Sequence, residues 1–239
     1  MDRVKHFRNL LRFTYKHRVL GEHATDPRVL LLQAAQTVYV PVPKAANTST
    51  KLALCPSLGI DSTTVDQVQK DPRLRMVPFS SIAGTLSDDC FIFTVVRDPW
   101  TRIASAHRDK VVKQHAVLKS LQLMGIEAGE SFEPFLRALN RWPRKMLNDH
   151  FIPQSELLRE PLQTGRMKVY KSEELQDQWP QIASRIEERG APRPGPIGHH
   201  NASGARSYPE FSSRAQELIL KLYDQDFSTF GYDRSPPTA

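Results

Sequence analysis

The residues best able to do chemistry on an anion lie in the stretch TVYVPVPKAANTSTK, Thr37 to Lys51. A single lysine, Lys44, is followed by Ala45, Ala46, Asn47, Thr48, Ser49 and Thr50: a cation, then small residues, then hydroxyls. Backbone N–H groups at a helix start, with an ammonium beside them, bind anions, and a phosphate suits them best. The stretch has no G-x-x-x-x-G-K-[ST], and alanines stand where glycines would let the backbone close on phosphates. Taken alone, it reads equally as an ordinary strand, turn and helix with a surface lysine. A second cation, Arg97, ends the apolar run Cys90 to Val96. Its guanidinium suits bidentate contact with a phosphate, and pairing with local carboxylates is the equal alternative.

Both cations need elements to hold them. Thr37-Val38-Tyr39-Val40 is β-branched and aromatic, as in a short buried strand, and Pro41 and Pro43 end its pairing. Lys51-Leu52-Ala53-Leu54 predicts a helix after the loop. Cys90 to Val96 is nearly continuously apolar, the pattern of a central parallel strand. Asp98 is a good N-cap and Pro99 fits the first helical position, so a helix starts there. Trp100, Ile103, Ala104, His107 and Val111 then share its apolar side, leaving Arg102, Ser105, Arg108 and Asp109 nearer the other; His107 reads as a hydrogen-bonded core residue. In open α/β sheets, ligands bind at the C-terminal ends of strands, where Lys44 and Arg97 fall.

PVPKAANTSTK and FTVVRDPWTRIASAHRDK together resemble the two signature segments of the carbohydrate sulfotransferases that use 3′-phosphoadenosine 5′-phosphosulfate. The first is similar to that family's 5′-phosphosulfate loop, which implies donor binding by Lys44, Ala45, Ala46, Asn47, Thr48 and Ser49. The second is similar to its 3′-phosphate motif, which implies that Arg97 and Ser105 hold the 3′-phosphate. Asp149-His150-Phe151-Ile152-Pro153-Gln154 resembles a His-aromatic-x-Pro segment of the family. Met167 to Lys171, Glu173-Glu174-Leu175 and Leu222 to Tyr232 resemble its late strand, an acidic helix start and its closing helix. The implied fold is α/β and P-loop-like, with three layers and a central, mainly parallel sheet flanked by helices. The implied reaction is sulfonate transfer to a hydroxyl of a glycan or other small hydroxylated acceptor, with no metal. Lys44 would stabilise the departing bisphosphate and His150 would be the general base; Asp66, Asp88 and Asp89 stay open as alternatives to it.

Length and charge agree with one large α/β domain. The chain has 239 residues, of which 39% are hydrophobic, enough for a sizeable core. The expected division is a basic helical segment at 1–36, a sulfotransferase-like domain at 37–232 and a tail at 233–239. Residues 3–19 carry apolar residues at near-helical spacing, with Arg3, Lys5, Arg8, Arg12, Lys16 and Arg18 set against Asp2 alone. Most of the net charge of +7 therefore sits in that segment, and a broad nucleic-acid-binding face is not expected. That helix packs on the domain or touches an acidic membrane surface. Leu30 to Ala35 reads as a short helix or an extended connector, and 56–89 as loops with one short helix. Ser131 to Leu139 reads as a core helix. The Pro/Gly-rich stretch 191–206 carries His199, His200, Asn201 and Ser203, which could close over a nucleotide, although an ordinary polar loop is the favoured reading.

No stretch has the length of a membrane span or the apolar core of a signal peptide, so a soluble chain is expected, cytoplasmic if microbial. A Golgi enzyme would require the sequence to be part of a longer, anchored chain. Cys55 and Cys90 imply neither a disulfide framework nor a metal site. A small-molecule kinase and a non-catalytic polyanion-binding module are the competing functional classes. The kinase would need Mg²⁺ and an acidic ligand at a strand end.

Overall fold

The computed structural model describes residues 26–61, 71–198 and 211–237, with Arg8 and Leu11 besides. The basic N-terminal helix, Asp66 and the loop residues His199, His200, Asn201 and Ser203 lie outside the described residues.

Among the described residues five strands form one sheet: β1 (Arg28–Leu32), β2 (Thr37–Val40), β3 (Val77–Pro78), β4 (Phe91–Val96) and β5 (Lys168–Lys171), in the spatial order β3-β1-β2-β4-β5. β4 pairs in parallel with β2 on one side and β5 on the other. All six of its residues are buried, which is why its sequence is apolar without alternation. The parallel core matches the expected α/β sheet, while β1 pairs antiparallel with both β2 and β3.

Strand β1 departs from the reading of Leu30 to Ala35 as a helix or connector. A 3-10 turn at Gln33–Ala35, closed by Gln36 in the left-handed region (φ 42°), folds the chain back so that Leu30 faces Tyr39 across the ladder. The run Val29-Leu30-Leu31-Leu32 carries no strong local preference, and pairing to β2 decides its form. The helix after β2 also starts earlier than its apolar residues suggest: α1 spans Asn47–Leu54, so the hydroxyl run is its first turn.

The chain divides into two compact units. The sheet unit comprises the described residues of 26–97 and 158–204. Among the described residues its longest helix is Leu175–Glu188, which with the longer helices of the other unit gives the labels α2 (Pro99–His107), α3 (Phe132–Leu139), α4 (Leu175–Glu188) and α5 (Ser213–Phe230). Leu175, Trp179, Ile182 and Ile186 recur on one side of α4 and bury against a cluster containing Leu30, Tyr39, Phe91, Phe93 and Val95. The Tyr39 and Phe93 rings lie 5.1 Å apart, and Phe91 and Phe93 stack at 5.2 Å. Each such side chain contributes roughly 1.5–3 kcal/mol by leaving water.

The helical unit comprises the described residues of 98–157 and 205–239. Asp98 caps α2 by accepting from the Thr101 N–H at 2.9 Å, and Pro99 occupies the first turn, as their types predict. Trp100 packs on Phe211 and on Phe227 of α5. His107 lies buried against Phe132 and Phe135 of α3, with Nε2 at 2.7 Å from the Glu130 carbonyl, so it is a core residue as expected. Arg102 overturns its placement on the polar side of α2: it is 1% exposed. Among the described residues no helix is long and apolar enough to cross a membrane.

Candidate active site

In the sheet unit, the loop from β2 to α1 has an unusual backbone. Lys44 (φ 69°) and Ala46 (φ 52°) both take left-handed backbone conformations, and Ala45 between them does not. Alternation of this kind turns N–H groups toward a common side, as in phosphate-binding nests, although the Ala45 N–H is already donated to the Val42 carbonyl at 3.2 Å. Alanines stand here in place of glycines, and the fold imposes the glycine-like conformation regardless, at a cost for each residue that has a Cβ. Ala46 is the N-cap and offers no side-chain acceptor. The first helical bond runs from the Thr50 N–H to the Ala46 carbonyl at 2.9 Å, so the N–H groups of Asn47, Thr48 and Ser49 precede the ladder at the positive end of the helix.

Arg97 leaves the C-terminal end of β4 and meets this loop. Its Nη1 donates to the Lys44 carbonyl at 3.2 Å, although the two residues are 53 apart in sequence. Parallel pairing of β2 with β4 accounts for the meeting, because it puts the ends of both strands on the same edge of the sheet. Arg97 therefore braces the carbonyl side of Lys44 and adds positive charge at the same edge. Lys51, one turn beyond Asn47 on α1, is half-buried, and burial lowers the pKa of its ammonium.

The helical unit holds the other two candidates. Ser105 is half-buried on α2. His150 sits in a turn between α3 and the short helix Gln154–Leu157. Its Nδ1 lies 2.7 Å from Asn148 Oδ1 and 2.8 Å from Asp149 Oδ1. Both are acceptors, so Nδ1 is the nitrogen placed to donate, and in the neutral imidazole that leaves Nε2 with the lone pair a general base needs. Burial pushes the Asp149 carboxyl up, but the hydrogen bonds it accepts from His150 outweigh it and hold it below its ordinary value. Of the alternative acids, Asp88 lies 3.7 Å from Arg166 and Asp89 3.3 Å from Arg189, both within surface ion pairs.

Sequence reasoning missed the group beneath His150. Arg102, Tyr223 and Asp226 are all buried. Asp226 accepts from the Gln154 and Ser155 N–H groups at 2.8 Å each and from the Ser155 hydroxyl at 2.6 Å. The available signal was weak: Asp226 is an acid on the apolar side of the closing helix, next to Phe227. Among the described residues no three His, Cys, Asp or Glu side chains gather as metal ligands would.

Comparison with known proteins yields two matches. A family model described as the sulfotransferase family matches residues 29–233. Carbohydrate sulfotransferase 10 of Gallus gallus is 24% identical over 270 residues, covering 97% of this chain and 75% of that protein. No solved structure matches the chain.

Proposed function

The chain belongs to the sulfotransferase family, and from that premise we propose that it moves a sulfonate from 3′-phosphoadenosine 5′-phosphosulfate to a hydroxyl of a carbohydrate or a similar hydroxylated acceptor. The observation that carries this reading is the bond from Arg97 to the Lys44 carbonyl, which joins the two donor-binding segments at one sheet edge. The carbohydrate acceptor follows the name of the chicken relative.

The donor supplies a sulfonate on a good leaving group. Lys44 and the N–H groups of Asn47, Thr48 and Ser49 hold its 5′-phosphate, and the hydroxyls of Thr48 and Ser49 add donors. As the sulfur–oxygen bond to that phosphate breaks, negative charge grows on the bridging oxygen. The Lys44 ammonium stabilises that charge more in the transition state than in the ground state, which is what lowers the barrier. By the family resemblance, Arg97 and Ser105 would each serve the 3′-phosphate, which would select this donor over ATP. His150 Nε2 would take the acceptor's proton as the new oxygen–sulfur bond forms and the bond to the bisphosphate breaks.

The test is thermal unfolding with adenosine 3′,5′-bisphosphate, and in parallel with ADP and Mg²⁺. At a hundred times its dissociation constant, a ligand confined to the folded state stabilises by about 2.7 kcal/mol, a shift on the order of 5–10 °C for a chain of this size. A shift with the bisphosphate alone is expected. A response only to ADP with Mg²⁺ would instead indicate a kinase. Lys44→Ala is expected to fold normally and to lose donor turnover, read as release of the bisphosphate.

A further inference from the structure

We infer that Arg102, Tyr223 and Asp226 are positioning residues that hold the turn Asp149–Ser155, and with it the His150 imidazole, in the orientation proton removal requires. This rests on the reading of His150 as the base.

Five backbone groups within seven residues of this turn each receive a buried side chain. Arg102 Nη2 donates to the Asp149 carbonyl at 3.2 Å and Nη1 to the Ile152 carbonyl at 2.9 Å. The Tyr223 hydroxyl donates to the Phe151 carbonyl at 2.7 Å. Asp226 receives the Gln154 and Ser155 N–H groups, one on each carboxylate oxygen. The three side chains come from α2 and α5, and Tyr223 itself sits at a kink in α5, with φ −110° and ψ 17° inside an otherwise regular helix.

Within the turn the Asn148 carbonyl accepts from the Phe151 and Ile152 N–H groups at 2.8 and 2.9 Å, and the backbone groups those bonds leave over take their partners from outside it. Carbonyls on both sides of His150 and N–H groups just after it are fixed by rigid helices. Inside the turn, Asn148 adds two bonds to His150, on its N–H and on Nδ1. The imidazole thereby loses freedom in both backbone and ring orientation, as a preorganised base requires.

Stability alone is a poor explanation for this choice of side chains. A buried arginine and a buried aspartate are expensive to desolvate, and apolar packing of similar volume is often as stable or more so. Directional hydrogen bonds specify an orientation, which apolar contacts do not.

The variant Tyr223→Phe removes one hydroxyl and keeps the ring, so it tests the idea in a folded protein even where Asp226→Asn does not fold. With water as the acceptor, turnover of the donor is followed as bisphosphate release. Tyr223→Phe is expected to lower kcat about tenfold, inside the ~10²-fold that a 1 Å misplacement costs, with unchanged affinity for adenosine 3′,5′-bisphosphate. In a His150→Ala background the same change is expected to have no further effect, because it acts through the imidazole. An equal loss in both backgrounds overturns the inference, and so does an unchanged kcat in Tyr223→Phe while His150→Ala is slow. If His150→Ala turns over normally, the base assignment fails on its own, and the ring ¹⁵N signals of His150 decide the positioning: displaced in Tyr223→Phe they uphold it, and unmoved they refute it.

Discussion

Arg97 does two things with one guanidinium: it brings charge to the end of β4, and it braces the Lys44 carbonyl at 3.2 Å. Arg97→Ala is therefore expected to weaken bisphosphate binding by about 1.5–3 kcal/mol, the range for a hydrogen bond to a charged group. Titration calorimetry of the folded variant reads this directly, and an unaltered affinity would remove Arg97 from the proposed site. Lys44 and Arg97 were legible because each combines a charge with a strand end. Arg102 was not, because a helical pattern assigns a charged residue to solvent unless something distant covers it. The covering groups, Ile152 and Asp149, are 50 and 47 residues away.

At the level of elements, the loop between β2 and α1 stores strain. Ala46 sits at φ 52° as the N-cap of α1. The left-handed conformation costs a residue with a Cβ roughly 1–2 kcal/mol, while glycine adds roughly 0.5–1 kcal/mol of unfolded-state entropy. Ala46→Gly is thus expected to raise stability by about 0.5–1 kcal/mol, seen as a higher urea midpoint at an unchanged slope. A lower midpoint would mean that contacts of the Ala46 methyl outweigh the strain. Strand-loop-helix order was readable here, since β-branched residues, two prolines and a hydroxyl run are local signals. The positive φ angles were not, because nothing in Lys44 or Ala46 favours them; strand and helix placed on either side impose them.

For the molecule as a whole, stability should depend on pH through its buried histidine. Burial pushes the His107 pKa below its ordinary value of 6.5, only partly opposed by the bond to the Glu130 carbonyl. The folded state then binds fewer protons than the unfolded chain, so His107's contribution is intact above pH 6.5 and fades as the pH falls through the folded value. The melting temperature is expected to drop as the pH falls below 6.5, and His107→Gln to flatten that slope; parallel curves for the two proteins would assign the effect to other groups. The sequence by itself determined the buried central strand β4, the start of α2 at Asp98-Pro99, the lysine-led loop after β2 and the kinship those segments carry. All of these are written in contiguous residues, where side-chain type acts on its own backbone. Tertiary structure alone decided that Leu30 pairs with Tyr39, that Arg97 reaches the Lys44 carbonyl and that Arg102 and Asp226 lie buried under the His150 turn. Those facts depend on which distant groups share a hydrogen bond or exclude water, and no local pattern encodes that partnership.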